Sequence, residues 1–252
     1  MKLPRVLFAV AATFFLFACK KDPAVIKSVN AQLSFMVNGF ADNKIVNGDS
    51  TVYTNIYGDT YTISKFNYYI SNIVLIDENG ADVILPASYH LIAHADGIES
   101  FTLNGVPRGS YKGFRFLIGV DSLRNVSGAQ TGDLDPARNM FWDWNTGYIF
   151  YKLEGSYTSM SGEKGDYAFH IGGFSGDHNR LQWVKIEQEF VVIGGGLTAI
   201  KLNADAGQIF HSPHALSFDD YYVNGPSEGI FTKQSQNYSD MFIFTGVQNF
   251  EL

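Results

Sequence analysis

Six histidines, a close pair of tryptophans and a single cysteine carry most of the chemistry open to this 252-residue chain. The histidines are His90, His94, His170, His178, His211 and His214. On a regular strand His90 and His94 share a face but stand about 13 Å apart along it, too far to chelate one ion without a bulge. Either can instead meet an imidazole from a neighbouring strand. His170 shares its face with Ala168 and Gly172, whose small side chains leave room beside the ring. A lone strand histidine is ordinarily a satisfied core or rim residue; the alternative is an imidazole ligand. His211 and His214 flank Ser212-Pro213 and either converge across one helical turn or lie exposed in a loop. His178 follows Gly176-Asp177 in a hydrophilic turn.

Trp142 and Trp144 are two residues apart, so an extended chain puts both indoles on one face, about 6–7 Å from each other. Such a pair packs in a core or, beside a polar loop, stacks on a sugar or carries an electron hole. Met140 offers a soft thioether nearby. Asp121 and Asp135 are carboxylates of the kind that accept a hydrogen bond from a ligating imidazole. The chain holds no nucleophile elbow, P-loop, dinucleotide fingerprint, CxxCH or HExxH. Enzymatic turnover therefore has no support in the sequence, and a non-enzymatic protein is expected.

The elements that must position these groups are short and strand-like. Residues 33–37 alternate apolar and polar before Asn38-Gly39. Residues 66–76 (FNYYISNIVLI) form a long apolar strand that ends at Asn79-Gly80, a hairpin signal. Residues 83–94 return, with Pro86 marking a bulge or an edge. Strands follow at 98–103 and 111–120. Residues 121–133 are a long polar loop, and Asp135-Pro136 caps one helical turn. Residues 141–144 and 148–154 then pair about a turn at 145–147. Further strands are expected at 167–171, 181–193, 197–202, 230–231 and 241–244, with a second helical turn over 214–218 after Ser212-Pro213. The expected fold is all-β, an antiparallel β-sandwich with long loops and one or two short helical turns.

Composition narrows the class further. The chain is 46% hydrophobic with 21 Phe and 14 Tyr, enough for a packed core and too apolar for disorder. Its formal charge is −7 and its only basic run is Lys20-Lys21, which argues against a nucleic-acid partner. Lys2 and Arg5 precede an apolar run, 6–17, too short to span a bilayer as a mature helix. The run ends in Leu16-Phe17-Ala18-Cys19, which resembles a bacterial lipobox. That implies a signal peptide over 1–18, lipidation of Cys19, a tether over 19–30 and one domain over 31–252, held in the cell envelope by the lipid anchor alone. Cys19 is the only cysteine, so the domain itself offers no thiol for disulfides or metal ligation.

Several stretches together carry a family resemblance: FNYYISNIVL at 66–75, YHLI at 89–92, GVDS at 119–122, SGAQTGDLDP at 127–136, MFWDWNTGYIFYKLEG at 140–155 and FHIGG at 169–173. They resemble the MbnP-like copper-binding proteins, periplasmic or surface proteins named for a methanobactin-associated member. The resemblance implies copper as the bound metal, for storage, uptake or delivery outside the cytoplasm. It also implies a tryptophan, Trp142 or Trp144, oxidised to kynurenine by a MauG-like dihaem peroxidase. His170 is then the imidazole ligand, and His90 a second one. The competing expectation is a non-enzymatic β-sandwich lipoprotein that binds a glycan or protein through Trp142 and Trp144.

Overall fold

The computed structural model describes residues 31–128, 130–143, 147–224 and 228–251. Cys19, the leader and the tether lie outside them. The main strands are β1 (Ala31–Ala41), β2 (Lys65–Asp77), β3 (Tyr89–Ala93), β4 (Ser100–Val106), β5 (Gly109–Ile118), β6 (Phe141–Asp143), β7 (Gly147–Thr158), β8 (Lys164–Gly172), β9 (Gln182–Ile186), β10 (Gly196–Asp205) and β11 (Phe242–Glu251). Three short helices, α1 (Ser122–Asn125), α2 (Phe218–Asn224) and α3 (Glu228–Tyr238), sit between them.

Two sheets face each other. The first runs β11–β10–β1, with β4 paired to β1. The second is built on β2 and β7, with β5 and β9 on one side, β8 paired along β7, and β3 paired to β2. The all-β expectation holds, with antiparallel pairing throughout except that β1 runs parallel to β10, Phe35 opposite Ile200. Alternation explains the interior. Leu33, Phe35 and Val37 of β1 face Phe66, Tyr68 and Ile70 of β2, and all six are fully buried in one cluster. Tyr69, the odd member of the same run, is also fully buried, but in a second cluster with Met140, Tyr148 and Phe150. β2 is thus covered on both faces, which is why its sequence reads as a continuous apolar run.

The second cluster exists because residues 119–128 and 130–139 fold back over the outer face of the second sheet. Four side chains fasten this loop. Tyr69 donates to the Asp133 carbonyl at 2.9 Å and Tyr148 to the Leu134 carbonyl at 2.7 Å. Buried Asn125 donates to the Val120 carbonyl and accepts from the Tyr148 amide at 2.9 Å. Asp121 accepts from Asn72 Nδ2 at 2.7 Å and Tyr89 Oη at 2.5 Å. Burial alone would raise the Asp121 carboxyl, but these bonds and two backbone amides outweigh it and hold the group below the ordinary carboxylate range.

The helical expectation needs correction. Residues 214–216 are not helical, and 230–231 lie in α3 rather than in a strand. Asn237 supplies the reason: it donates to the carbonyls of Ile209 and His214 and accepts from the His214 amide at 2.8 Å, satisfying that backbone without a helix. The helix begins instead at Phe218, where Ser217 and Asp220 close a reciprocal cap: the Asp220 amide donates to Ser217 Oγ at 3.1 Å, and the Ser217 amide to Asp220 Oδ2 at 2.8 Å.

Candidate functional site on the outer face of the second sheet

β8 sorts its residues strictly by face. Tyr167, Phe169 and Ile171 enter the core, while Ala168, His170 and Gly172 take the other side. His170 lies opposite Lys152 of β7, and Ala168 opposite Glu154. The His170 Nε2–H donates to Glu154 Oε1 at 2.6 Å. A carboxylate only accepts, so this bond puts a proton on Nε2, and in the neutral ring the lone pair is then on Nδ1. Lys152 Nζ stands 3.9 Å from the same Glu154 oxygen and donates to the Asn139 carbonyl at 2.6 Å. Burial pulls the Lys152 pKa down, Glu154 opposes that shift, and Lys65 adds to it. An open cavity of about 550 Å³ begins at Glu154, with Asp49, Thr62, Ser64 and Asp166 among its walls.

Trp142 reaches the same face from β6. A Cβ built on Gly172 would stand 2.8 Å from Trp142 Cζ3 and 2.4 Å from the Tyr148 carbonyl oxygen. Only glycine admits the indole there. His170 precedes Gly172 by two residues, so the ring rests about 7 Å along the strand from the imidazole position. Trp142 keeps 39% of its surface exposed. Trp144 lies outside the described residues.

A family model, MbnP, matches residues 30–227. The chain belongs to the MbnP family. The match extends on both sides of 66–174, the stretch that carries the resemblance in the sequence, and contains all of β6, β7 and β8. A solved structure, MbnP from Methylosinus trichosporium, is similar with a TM-score of 0.54 at 17% identity, over 74% of this chain and 79% of that one. At that identity the likeness bears on the fold alone. Among curated proteins, none matches the chain.

Within this MbnP fold, the histidine candidates part company. His90 pairs with Ile70, whereas the row through His170 and Lys152 continues to Asn67 of β2. Positions 67 and 70 differ by an odd number, so His90 and His170 point to opposite faces of the sheet, three strands apart, or about 14 Å laterally. No ion can bind both. His90 instead stacks on Phe101 at 3.9 Å, and its Nε2 is buried with no hydrogen-bond partner among the described residues. His94 is also interior, its Nδ1 3.0 Å from Glu99 and its Nε2 3.1 Å from Tyr68 Oη. Met140 is fully buried in the second cluster. Asp121 and Asp135 serve the loop: Asp135 accepts from the Ala137 amide at 2.9 Å and caps the expected helical turn. The carboxylate that holds His170 is Glu154, which the sequence reading passed over. Its signal was available, since Lys152 and Glu154 alternate with buried Tyr151 and Leu153 and so mark a polar outer face.

Burial pushes the His90 pKa down to about 4, with Asp133 partly opposing. As pH falls below about 6.5, the unfolded chain therefore takes up a proton that the folded chain refuses, and stability declines until about pH 4 at ~1.4 kcal/mol per unit. His94, lowered by burial against the pull of Glu99, acts in the same direction. Urea denaturation at pH 7 and 4.5 should show His90→Phe losing about 2–3 kcal/mol less than wild type on acidification. Equal losses in the two proteins would contradict this account of His90.

Proposed function

We propose that this MbnP-family protein binds copper at the cell envelope, held there by a lipid on Cys19, and that Trp142 is the residue a dihaem peroxidase of the MauG type would oxidise. The observation that carries the reading is one arrangement on β8: the Trp142 ring on Gly172, with His170 two residues away and oriented by Glu154. A carboxylate-held imidazole with its other nitrogen free is the usual setting of a metal-binding histidine. The fit is partial. Among the described residues, no three His, Cys, Asp or Glu side chains converge as metal ligands. Copper at His170 therefore requires a further donor, and an oxidised Trp142 is the candidate in place. A kynurenine there would supply a carbonyl oxygen and an aromatic amine, donors that an indole lacks. Cu(I) accepts low coordination, so one imidazole and one or two weaker donors suffice.

Intact-mass analysis and metal quantification of protein isolated from its own envelope test the reading. The expected result is one copper per chain, a lipid mass on Cys19 and an oxidative mass change that maps to Trp142. An unmodified Trp142 with no copper would overturn it and favour the glycan- or protein-binding alternative, for which the exposed indole is a ready stacking surface.

A further inference from the structure

A second cavity, of about 400 Å³, is lined by the turn after β1, Tyr61 and the end of β10. Its rim begins at the turn after β1, where Asp42 and Asn43 both adopt left-handed backbone (φ 48° and 57°) and return the chain into Lys44–Ile45. Aspartate and asparagine are the residues that tolerate this tight hairpin turn. Its floor is the end of β10, where largely buried Asp205 accepts from the Gly207 amide at 2.8 Å. Tyr61 forms the inner wall. Its ring packs on Tyr53, Phe210 and Phe218, and the residue is only 2% exposed. Yet its hydroxyl has no hydrogen-bond partner among the described residues.

Both polar groups aim at one spot. A Cβ built on Gly207 would stand 3.1 Å from Asp205 Oδ1 and 3.3 Å from Tyr61 Oη. A buried phenol without a partner is costly, and a ligand that donates to its oxygen offsets part of that cost. The charges facing the cavity select the ligand's sign. Asp42 and Asp205 contribute two carboxylates and His211 an imidazole, while Lys44 Nζ engages Asp42 Oδ2 at 2.8 Å from the rim. Burial raises the Asp205 carboxyl and Asp42 adds to that, while the Gly207 amide and His211 oppose it, and a bound cation would oppose it further. The volume falls within the range of small-molecule sites, and Ile56 adds aliphatic surface at the rim. A bare metal ion is less suited, since no three His, Cys, Asp or Glu groups converge among the described residues.

We propose that this cavity binds a small organic ammonium ion, its N–H groups donating to Asp205 and Tyr61 and its alkyl part resting against Ile56. The full-length protein titrated with n-butylammonium chloride, followed by amide chemical shifts, tests it. Saturable shifts are expected at Asp42, Gly207 and Gln208, with binding weakened about tenfold in Asp205→Asn. Gly207→Ala fills the spot and should abolish saturation. Tyr61→Phe removes only the unpartnered hydroxyl, leaves folding intact and should weaken binding about threefold. His170→Ala should leave it unchanged, which separates this cavity from the face bearing Trp142. Absence of saturation in wild type, equal shifts with neutral n-butanol, or full affinity in both Asp205→Asn and Tyr61→Phe would overturn the proposal. So would saturation of the same amides by calcium chloride alone.

Discussion

His170→Ala should lower copper affinity by at least about a hundredfold, as measured by competition with a chromogenic chelator. The variant removes the imidazole that β8 places on the face bearing Trp142. The side chain is partly exposed and, among the described residues, bonds to Glu154 alone, so the fold should survive the change. Glu154→Ala keeps the imidazole and removes what orients it. It should weaken copper by roughly ten- to a hundredfold, the range seen when the partner of a metal-bound histidine is lost. His90→Phe should bind copper as the wild type does, because His90 lies on the opposite face of the sheet. An unchanged affinity in His170→Ala would remove His170 as a ligand, and a large loss in His90→Phe would relocate the site.

The largest stability effect is expected at Asp59. This carboxylate is fully buried, yet three donors meet it. Oδ1 accepts from the Met160 amide at 2.8 Å, and Oδ2 from Asn55 Nδ2 at 2.8 Å and the Phe218 amide at 2.9 Å. It therefore ties together the 55–59 turn, the turn between β7 and β8, and the start of α2. Phe218 in turn stacks on Tyr157 at 4.5 Å and seals one end of the aromatic core. Asp59→Ala would leave the buried Phe218 amide, the part-buried Met160 amide and the Asn55 side-chain amide without acceptors, at about 3–5 kcal/mol in total. For a domain of this size that lowers Tm by roughly 10 °C. Asp59→Asn keeps one acceptor oxygen but turns an NH₂ toward a donor, so it should recover only part of the loss. A Tm within a degree or two of wild type for Asp59→Ala would show that this three-way tie is replaceable.

Much of the scaffold was legible from local pattern. The 66–76 run, the Asn79-Gly80 turn and the alternation in 33–37 each specify a strand or hairpin through short-range sterics and face preference. Asp135-Pro136 announced its turn because both the cap and the proline act within three residues. The 214–218 helix failed for the opposite reason. Its backbone partners come from Asn237, more than twenty residues on, and no local rule sees them.

The site divides along the same line. By itself the sequence determined that the chain is a strand-rich, thiol-poor domain, and that His170 shares a face with Ala168 and Gly172. It also placed Trp142 within a polar-loop hairpin, and its motifs marked the MbnP resemblance. Those properties depend on residue types and on a two-residue period. Only the tertiary structure decided which groups meet. It set Trp142 on Gly172, gave His170 to Glu154 rather than to Asp121 or Asp135, and sent His90 into the sandwich. Face within one strand follows from parity in the sequence, whereas face across strands depends on register. Register is set by long-range pairing through β7 and β2, and a shift of one residue there would have put the two histidines on the same side of the sheet.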